Sequence, residues 1–347
     1  MRYSELGRTG LVVSRAGLGT MMYGSQGSRE LAFEQMDWSL DNGINLFDCA
    51  EIYAIPPDPA TQGRTEEIIG EWFASRPGAR DKVVLASKVT GRSGMPWLRK
   101  DGKGTRITPA QIDEALEGSL RRLRTDVIDL YQLHWPDRDV NKWGVLVHVD
   151  YPQDFADFGE TLEHLSRHVD KGNIRYIGVS NETPWGVMKF LAASEARGLP
   201  RIASIQNAYS LVNRTFELGL SEIAMQEQVG LLAYSVLGQG FLTGKYLNGA
   251  VPAGSRKAMA DRLQRYEKVN STEAIVSYLD LAARFGRDPA QLAVRFVDTR
   301  PFVTSTLVGG STMEQLKTDV AALDLEWTAE LDAEVDRLHN LHPNPCP

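Results

Sequence analysis

Residues 174–207 read IRYIGVSNETPWGVMKFLAASEARGLPRIASIQN. Two short apolar runs, at 174–180 and 202–207, are typical of buried strands, and the segment between them has the spacing of a helix over 184–196. Strands that alternate with helices pair in parallel and are joined by right-handed crossovers. This stretch therefore predicts a β-α-β unit.

The same alternation continues along the chain. The predicted strands are 15–18, 44–48, 82–88, 127–134, 174–180, 202–207, 230–235 and 302–307. The predicted helices are 30–42, 65–75, 109–123, 158–171, 184–196, 217–227, the pair 272–285 and 289–298, and 313–323. Thr108 is the expected N-cap of the third helix, with Pro109 in its first turn. Eight such units predict an α/β fold, a closed (β/α)8 TIM barrel.

A predicted hairpin, an extra helix and three long loops account for the residues outside the eight units. Residues 2–14 predict an N-terminal β-hairpin that turns at Thr9-Gly10, and 328–339 predict an extra C-terminal helix. Long polar loops follow the third, fourth and seventh strands, at 90–107, 135–157 and 236–270. Loops that follow barrel strands lie on the face that carries active sites. No linker divides the chain, so we expect one domain over 1–347.

Composition narrows the class of protein. The chain has 347 residues, 42% of them hydrophobic, and a net charge of −7 without a basic run, which argues against nucleic acid or an anionic membrane as a partner. Its two cysteines, Cys49 and Cys346, exclude a disulfide framework, and we expect Cys346 to be an exposed thiol in the tail. The N-terminus lacks the apolar stretch of a signal peptide, and no apolar run approaches the ~20 residues of a membrane span. We expect a cytoplasmic protein.

A doubly wound nucleotide-binding fold is the main alternative, and two glycine-rich stretches test it. Residues 17–24 read GLGTMMYG, whose third glycine is misplaced for a dinucleotide-binding turn. Residues 238–245 read GQGFLTGK, which lacks the first glycine of a phosphate loop and is followed by Tyr246 instead of Ser or Thr. Neither motif is met, although such a loop can still present N–H groups to a phosphate.

Chemically active side chains stand where predicted neighbouring strands end. Asp48 closes the second strand, Lys88 the third and His134 the fourth, and Tyr53 lies five residues beyond Asp48. Each of these residues alone is commonly structural, as a cap, an ion-pair partner or a buried imidazole. Because parallel strands of a barrel end at one mouth, we expect the four to lie within hydrogen-bond reach of one another.

This combination suits carbonyl reduction. A free phenol has a pKa of about 10, and we expect the Lys88 ammonium to lower the pKa of Tyr53. Asp48 would hold the ammonium in place, and His134 would donate a hydrogen bond to a substrate oxygen. No side chain supplies hydride, so a nicotinamide cofactor is implied.

The blocks 46–53 (LFDCAEIY), 87–88 (SK), 129–135 (DLYQLHW), 178–181 (GVSN) and 206–210 (QNAYS) resemble the signatures of the aldo-keto reductase superfamily. The segments 56–63, 213–217 and 242–249 resemble its bacterial Tas-like branch most closely. The resemblance implies NADPH-dependent reduction of aldehydes or ketones, with Tyr53 as proton donor, Lys88 and Asp48 tuning it and His134 orienting the carbonyl.

The resemblance also implies a binding site for NADPH/NADP+. Ser180, Asn181 and Gln206 would bind the nicotinamide carboxamide, and Tyr234 would stack on the ring. The pyrophosphate would be lined by Ser235, Leu237, Gly238, Gly240, Thr243 and Lys245. The adenosine 2′-phosphate end would be formed by Arg256, Gly309, Ser311 and Gln315.

The sequence departs from the family pattern in three places. Val236 replaces a common proline, Thr318-Asp319 replace a usual Glu-Asn pair, and Gly309 replaces a lysine of some branches. The expected preference for NADP over NAD therefore depends on Arg256, whose guanidinium suits a phosphate dianion.

Two other functions remain open, together with a question about metals. The chain could be a cofactor-binding, redox-sensing regulatory subunit with little turnover, or Lys88 could form a Schiff base in an aldolase. His164 and His168 are one helical turn apart, but Leu165 stands where metalloproteases have Glu, so we expect a surface helix and no bound metal.

The long loops contain four large aromatic residues, Trp97, Trp135, Trp143 and Phe155. We expect these residues either to form the wall of a substrate pocket or to pack the loops against one another.

Overall fold

The computed structural model describes residues 1–151, 153–259 and 263–347. The strands are β1 (Tyr3–Glu5), β2 (Val12–Ser14), β3 (Ala16–Gly19), β4 (Leu46–Asp48), β5 (Val84–Val89), β6 (Ile128–Leu133), β7 (Ile174–Ser180), β8 (Ile202–Ala208), β9 (Gly230–Tyr234) and β10 (Val303–Val308). The helices are α1 (Arg29–Asp41), α2 (Arg64–Ser75), α3 (Pro109–Leu123), α4 (Phe158–Asp170), α5 (Pro184–Arg197), α6 (Leu220–Gln226), α7 (Arg256–Met259), α8 (Ser271–Arg284), α9 (Pro289–Thr299), α10 (Met313–Ala321) and α11 (Ala329–Leu341).

The predicted TIM barrel is confirmed. Within the described residues, eight parallel strands close in the order β10-β3-β4-β5-β6-β7-β8-β9, and β1 pairs with β2 as a separate antiparallel hairpin. Strands β4, β5 and β6 are neighbours, with Asp48 beside Ala86 and Lys88 beside Gln132. The register therefore brings the polar strand ends to one mouth of the barrel.

Local sequence explains where two helices begin. Helix α3 begins at Pro109 as predicted, although the Thr108 side chain forms no capping hydrogen bond. The helix predicted over 217–227 is shorter than expected, because a 3-10 turn at Thr215–Glu217 is separated from α6 by Gly219 at φ 107°. A residue with a side chain rarely adopts that φ, so the helix restarts after the glycine.

The barrel interior is apolar at one end and polar at the other. Leu6 and Val13 of the hairpin pack against interior residues such as Leu46, Leu130 and Leu232. The opposite faces of the strands pack against the ring of helices in a much larger apolar cluster. The hairpin thus closes the end of the barrel away from the strand ends, where the polar side chains are buried.

The C-terminal tail corrects one expectation. Cys346 is fully buried, because its backbone N–H donates to Val212 and Arg265 Nε donates to the carbonyl of Pro347. Cys49 is also buried. Among the described residues, no helix is both long enough and apolar enough to cross a membrane.

Candidate active site

The four side chains predicted at the strand ends do meet. Asp48 is the last residue of β4, Lys88 lies near the end of β5, and His134 directly follows β6. Tyr53 reaches the same point from the loop after β4. All four are buried, with exposed fractions from 0% for Lys88 to 8% for Tyr53 and His134.

A buried ion pair forms the base of this cluster. Lys88 Nζ lies 2.6 Å from Asp48 Oδ2, donates to the Cys49 carbonyl at 2.8 Å, and lies 3.4 Å from Tyr53 Oη. Burial is the largest single effect and lowers the pKa of Lys88, but Asp48, Tyr53 and Cys49 together outweigh burial and the net pKa is raised. The amine therefore stays charged, which argues against Lys88 as a Schiff-base nucleophile, since that chemistry needs the neutral amine.

The second oxygen of Asp48 is held by two amides. Gln206 Nε2 donates to Asp48 Oδ1 at 2.7 Å, and Gln132 Nε2 donates to the same oxygen at 3.2 Å. Sequence reasoning placed Gln206 at the cofactor and missed Gln132. Period-two alternation from His134 points to Gln132, because residues two apart on a strand share a face. The two amides hold the Asp48 carboxylate in place, and this carboxylate in turn holds the Lys88 ammonium.

The environment of Tyr53 corrects the expected direction of its pKa. Burial raises the pKa of Tyr53 to about 12, and the opposing effect of Lys88 is smaller. His134 Nε2 lies 3.5 Å from Tyr53 Oη, and the two rings meet edge to face with centroids 5.5 Å apart. Burial, with a smaller contribution from Lys88, lowers the pKa of His134 well below its usual value. At neutral pH both groups are uncharged, so each offers a proton to a neighbouring oxygen.

The aromatic residues of the long loops divide into two groups. Trp135 packs against His134 with centroids 4.9 Å apart and against Trp143 at 5.2 Å. Trp97 packs against the small apolar cluster that contains Tyr53 and Trp135. Phe155 packs edge to face with Phe158 and lines a small cavity together with Trp135. The tryptophans therefore pack beside His134 and Tyr53, whereas Phe155 packs at the start of α4.

The residues implied for the nicotinamide end lie beside this cluster. Asn181 Nδ2 donates to the His134 carbonyl at 2.9 Å, and Asn181 Oδ1 accepts from the Tyr234 hydroxyl at 2.5 Å. Ser180 Oγ donates to the Gln206 carbonyl at 2.7 Å. Asn181 has φ 51°, a conformation that Asn tolerates better than most residues, so the chain turns as β7 ends. These bonds join the ends of β7, β8 and β9 to the polar cluster at the barrel mouth.

The segment implied for the pyrophosphate is a tight turn. From Gly238 to Thr243 it forms 3-10 turns, and Gly240 has φ 98°. A Cβ at Gly240 would lie 2.7 Å from Cε of Lys245, so the glycine leaves room for the lysine. The Thr243 hydroxyl donates to the Gly240 carbonyl at 2.8 Å. Ser235, at φ 55°, and Leu237 begin this turn.

Two basic residues near this turn form no salt bridge with any carboxylate of the described residues. Within the described part of the chain, neither Lys245 nor Arg256 forms a salt bridge, and Arg256 Nη2 contacts the sulfur of Met22 at 3.3 Å. The neighbouring Lys257, in contrast, is paired with Glu267 at 2.5 Å. Unpaired cations beside a glycine-rich turn fit an anionic ligand, so this donor set is compatible with a dinucleotide phosphate.

The residues implied for the adenosine end lie after β10. Ser311 N and Oγ both donate to Gln315 Oε1, at 2.9 and 3.1 Å. A Cβ at Gly309 would lie 2.4 Å from the Gly19 carbonyl oxygen. The backbone of β3 therefore approaches too closely for a side chain at position 309, which gives a physical reason for the departure noted in the sequence.

Comparison with known proteins identifies the family of this chain. The model of the aldo/keto reductase family matches residues 15–340. The chain belongs to the aldo/keto reductase family. It is 47% identical to Protein tas of Escherichia coli strain K12 over the full length of both chains, which supports the Tas-like branch.

Further relatives of this aldo/keto reductase carry related names. An uncharacterized oxidoreductase of Bacillus subtilis, YrpG, is 36% identical over 99% of this chain and 97% of its own. An aldo-keto reductase of Babesia bovis is 34% identical over 74% of this chain and 96% of its own. Membership of the family supports oxidoreductase activity on carbonyl compounds.

Proposed function

We propose that this aldo/keto reductase reduces small aldehydes or ketones to alcohols with NADPH, and that Tyr53 donates the proton. The observation that carries the proposal is the fully buried Lys88 ammonium, 2.6 Å from Asp48 and 3.4 Å from the Tyr53 hydroxyl. A bound nicotinamide cofactor would supply the hydride for the carbonyl carbon.

The side chains of the barrel mouth account for the proton. His134, neutral at physiological pH, donates a hydrogen bond to the carbonyl oxygen and orients it towards Tyr53. As negative charge develops on that oxygen, the Tyr53 O–H bond breaks and the proton moves to the oxygen. The resulting phenolate lies beside the Lys88 ammonium, which Asp48 keeps charged, and it recovers its proton from solvent.

We assign the cofactor-binding residues as the resemblance implies. The nicotinamide end comprises Ser180, Asn181, Gln206 and Tyr234. The pyrophosphate segment comprises Ser235, Leu237, Gly238, Gly240, Thr243 and Lys245. The 2′-phosphate end comprises Arg256, Gly309, Ser311 and Gln315. The absence of a carboxylate partner for Arg256 among the described residues supports a preference for NADPH over NADH.

The test is carbonyl-dependent loss of NADPH absorbance with a panel of aldehydes and diketones, with NADH as a parallel donor. Turnover that is faster with NADPH supports the proposal. Tight NADPH binding without turnover of any carbonyl contradicts it and supports the alternative of a redox-sensing regulatory subunit.

Arg256→Ala tests the cofactor preference, with Lys257→Ala as the matched control because Lys257 is already paired with Glu267. A charge-assisted hydrogen bond contributes about 1.5–3 kcal/mol, so we expect the Kd for NADPH to rise roughly 10- to 100-fold in Arg256→Ala. The Kd for NADH should change much less. Equal weakening of both cofactors would contradict a contact of Arg256 with the 2′-phosphate.

A further inference from the structure

A second cluster of chemically active side chains lies outside the barrel, between α3 and α4. Asp113 belongs to α3, and His164 and His168 lie one turn apart on α4. The Nε2 atoms of both imidazoles lie 2.7 Å from the same oxygen, Asp113 Oδ1. Neither histidine nor the aspartate takes part in the barrel-mouth chemistry.

The donor set matches that of a transition-metal site. One ligand atom from each of Asp113, His164 and His168 lies within 4.8 Å of the other two. Imidazole nitrogen and carboxylate oxygen together bind Zn2+, Co2+ or Ni2+, whereas Mg2+ and Ca2+ prefer oxygen ligands alone. Three protein ligands leave a fourth tetrahedral position for water.

The distances are close to those that a metal requires. Donors of a tetrahedral zinc site lie about 3.3 Å apart when each is about 2.0–2.1 Å from the metal. Each 2.7 Å nitrogen–oxygen contact must therefore widen by about 0.6 Å. The Asp113 side chain is 53% exposed and can swing outwards, whereas His164 and His168 are only 11% and 10% exposed and hold their orientation.

The orientation of the two imidazoles also favours a ligand. Nε2 of each ring faces the same carboxylate oxygen, Asp113 Oδ1. Within the described part of the chain, Nδ1 of His168 is buried without a hydrogen-bond partner, so Nε2 is the nitrogen available to a ligand.

We propose that Asp113, His164 and His168 form a binding site for one Zn2+-class divalent transition-metal ion, which bridges α3 and α4. The expectation of an ordinary surface helix considered only the metalloprotease motif on α4. It did not include Asp113, which comes from the preceding helix and is 51 residues from His164. Each histidine binds as a neutral imidazole through Nε2, so the proton that Nε2 shares with Asp113 is exchanged through solvent for one on Nδ1, and the metal stays divalent.

The experiment uses the full-length protein without a histidine tag. Zn2+ binding is measured by calorimetry, Co2+ binding by its visible absorption, and thermal stability with and without each metal. The variants are His164→Ala and Asp113→Asn, and the matched control is His148→Ala. His148 is an exposed histidine 3.9 Å from another carboxylate, Asp150.

We expect one Zn2+ per wild-type chain, a Co2+ spectrum of tetrahedral intensity, and a Tm that rises by several degrees with saturating Zn2+. His164→Ala and Asp113→Asn should each weaken Zn2+ binding at least tenfold and abolish the rise in Tm, while His148→Ala behaves like the wild type. Wild-type protein that binds no Zn2+, or variants that bind it as tightly as the wild type, would overturn the proposal and leave a hydrogen-bonded cluster only.

Discussion

Replacing Lys88 by Met removes the charge that stabilises the Tyr53 phenolate. Two opposite unit charges 3.4 Å apart attract by about 5 kcal/mol at an effective dielectric constant of about 20. With the proton about half transferred, roughly half of that attraction, about 2.5 kcal/mol, is realised. We therefore expect kcat to fall roughly 50- to 70-fold, since each 1.36 kcal/mol corresponds to a tenfold change in rate.

The assay is the single-turnover rate of NADPH oxidation with a saturating aldehyde, alongside NADPH binding by fluorescence quenching. Lys82→Met is the matched control, because Lys82 is exposed just before β5. Loss of Lys88 leaves Asp48 buried without its cation, which costs stability, and adding Asp48→Asn should restore part of that stability. The double variant should remain slow. A Lys88→Met variant that binds NADPH and keeps more than a third of kcat would refute the reasoning.

Two further predictions concern stability. Burial, reinforced by Asp288, raises the pKa of Asp319 to about 7. Because the folded state favours the protonated carboxyl, the free energy of unfolding falls as the pH rises from about 4 to 7, by up to about 1.4 kcal/mol per pH unit. In urea titrations, Asp319→Asn should have a higher free energy of unfolding than the wild type at pH 8 and the same free energy near pH 4. Equal free energies of the two proteins at pH 8 as well as at pH 4 would contradict this prediction. Glu51 and Arg99 form a buried pair at 2.9 Å, so Glu51→Met should lower the free energy of unfolding by about 3–5 kcal/mol, with partial recovery when Arg99→Met is added. A loss below 1 kcal/mol in the same titrations would show that the pair does not matter.

The sequence predicts the barrel well because the signal is local and repeated. Each short apolar run is followed by a helix with its own boundary residues, as Pro109 shows for α3. Boundaries fail where backbone conformation intervenes, as at Gly219, whose positive φ interrupts the expected helix. The buried tail at Cys346 was missed because its partner, Val212, lies far away in the chain and no local pattern encodes that contact.

In the candidate site, too, the positions of the side chains could be predicted, but the effects of their packing could not. Asp48, Lys88, Tyr53 and His134 were predictable because parallel strand ends converge. The direction of the Tyr53 pKa shift was not predictable, because it depends on how much protein surrounds the phenol. Burial raises this pKa by more than the neighbouring Lys88 ammonium lowers it.

Residues were missed in the sequence where their role depends on contacts between distant segments of the chain. Gln132 became visible only when its amide was found on the second oxygen of Asp48. The cluster of Asp113, His164 and His168 required the packing of two helices, which the spacing along one helix cannot reveal.

The central claim, that Tyr53 gives the proton, is tested most directly by Tyr53→Phe in single-turnover NADPH oxidation. Tyr176→Phe is the matched control, since the Tyr176 hydroxyl donates to the Thr9 carbonyl in the hairpin, away from the mouth. A general acid contributes about 10²- to 10⁴-fold to the rate, so we expect Tyr53→Phe to lose that factor while its Kd for NADPH is unchanged. Tyr176→Phe should turn over like the wild type. A Tyr53→Phe variant that reduces the same carbonyl within threefold of the wild-type rate would contradict the account.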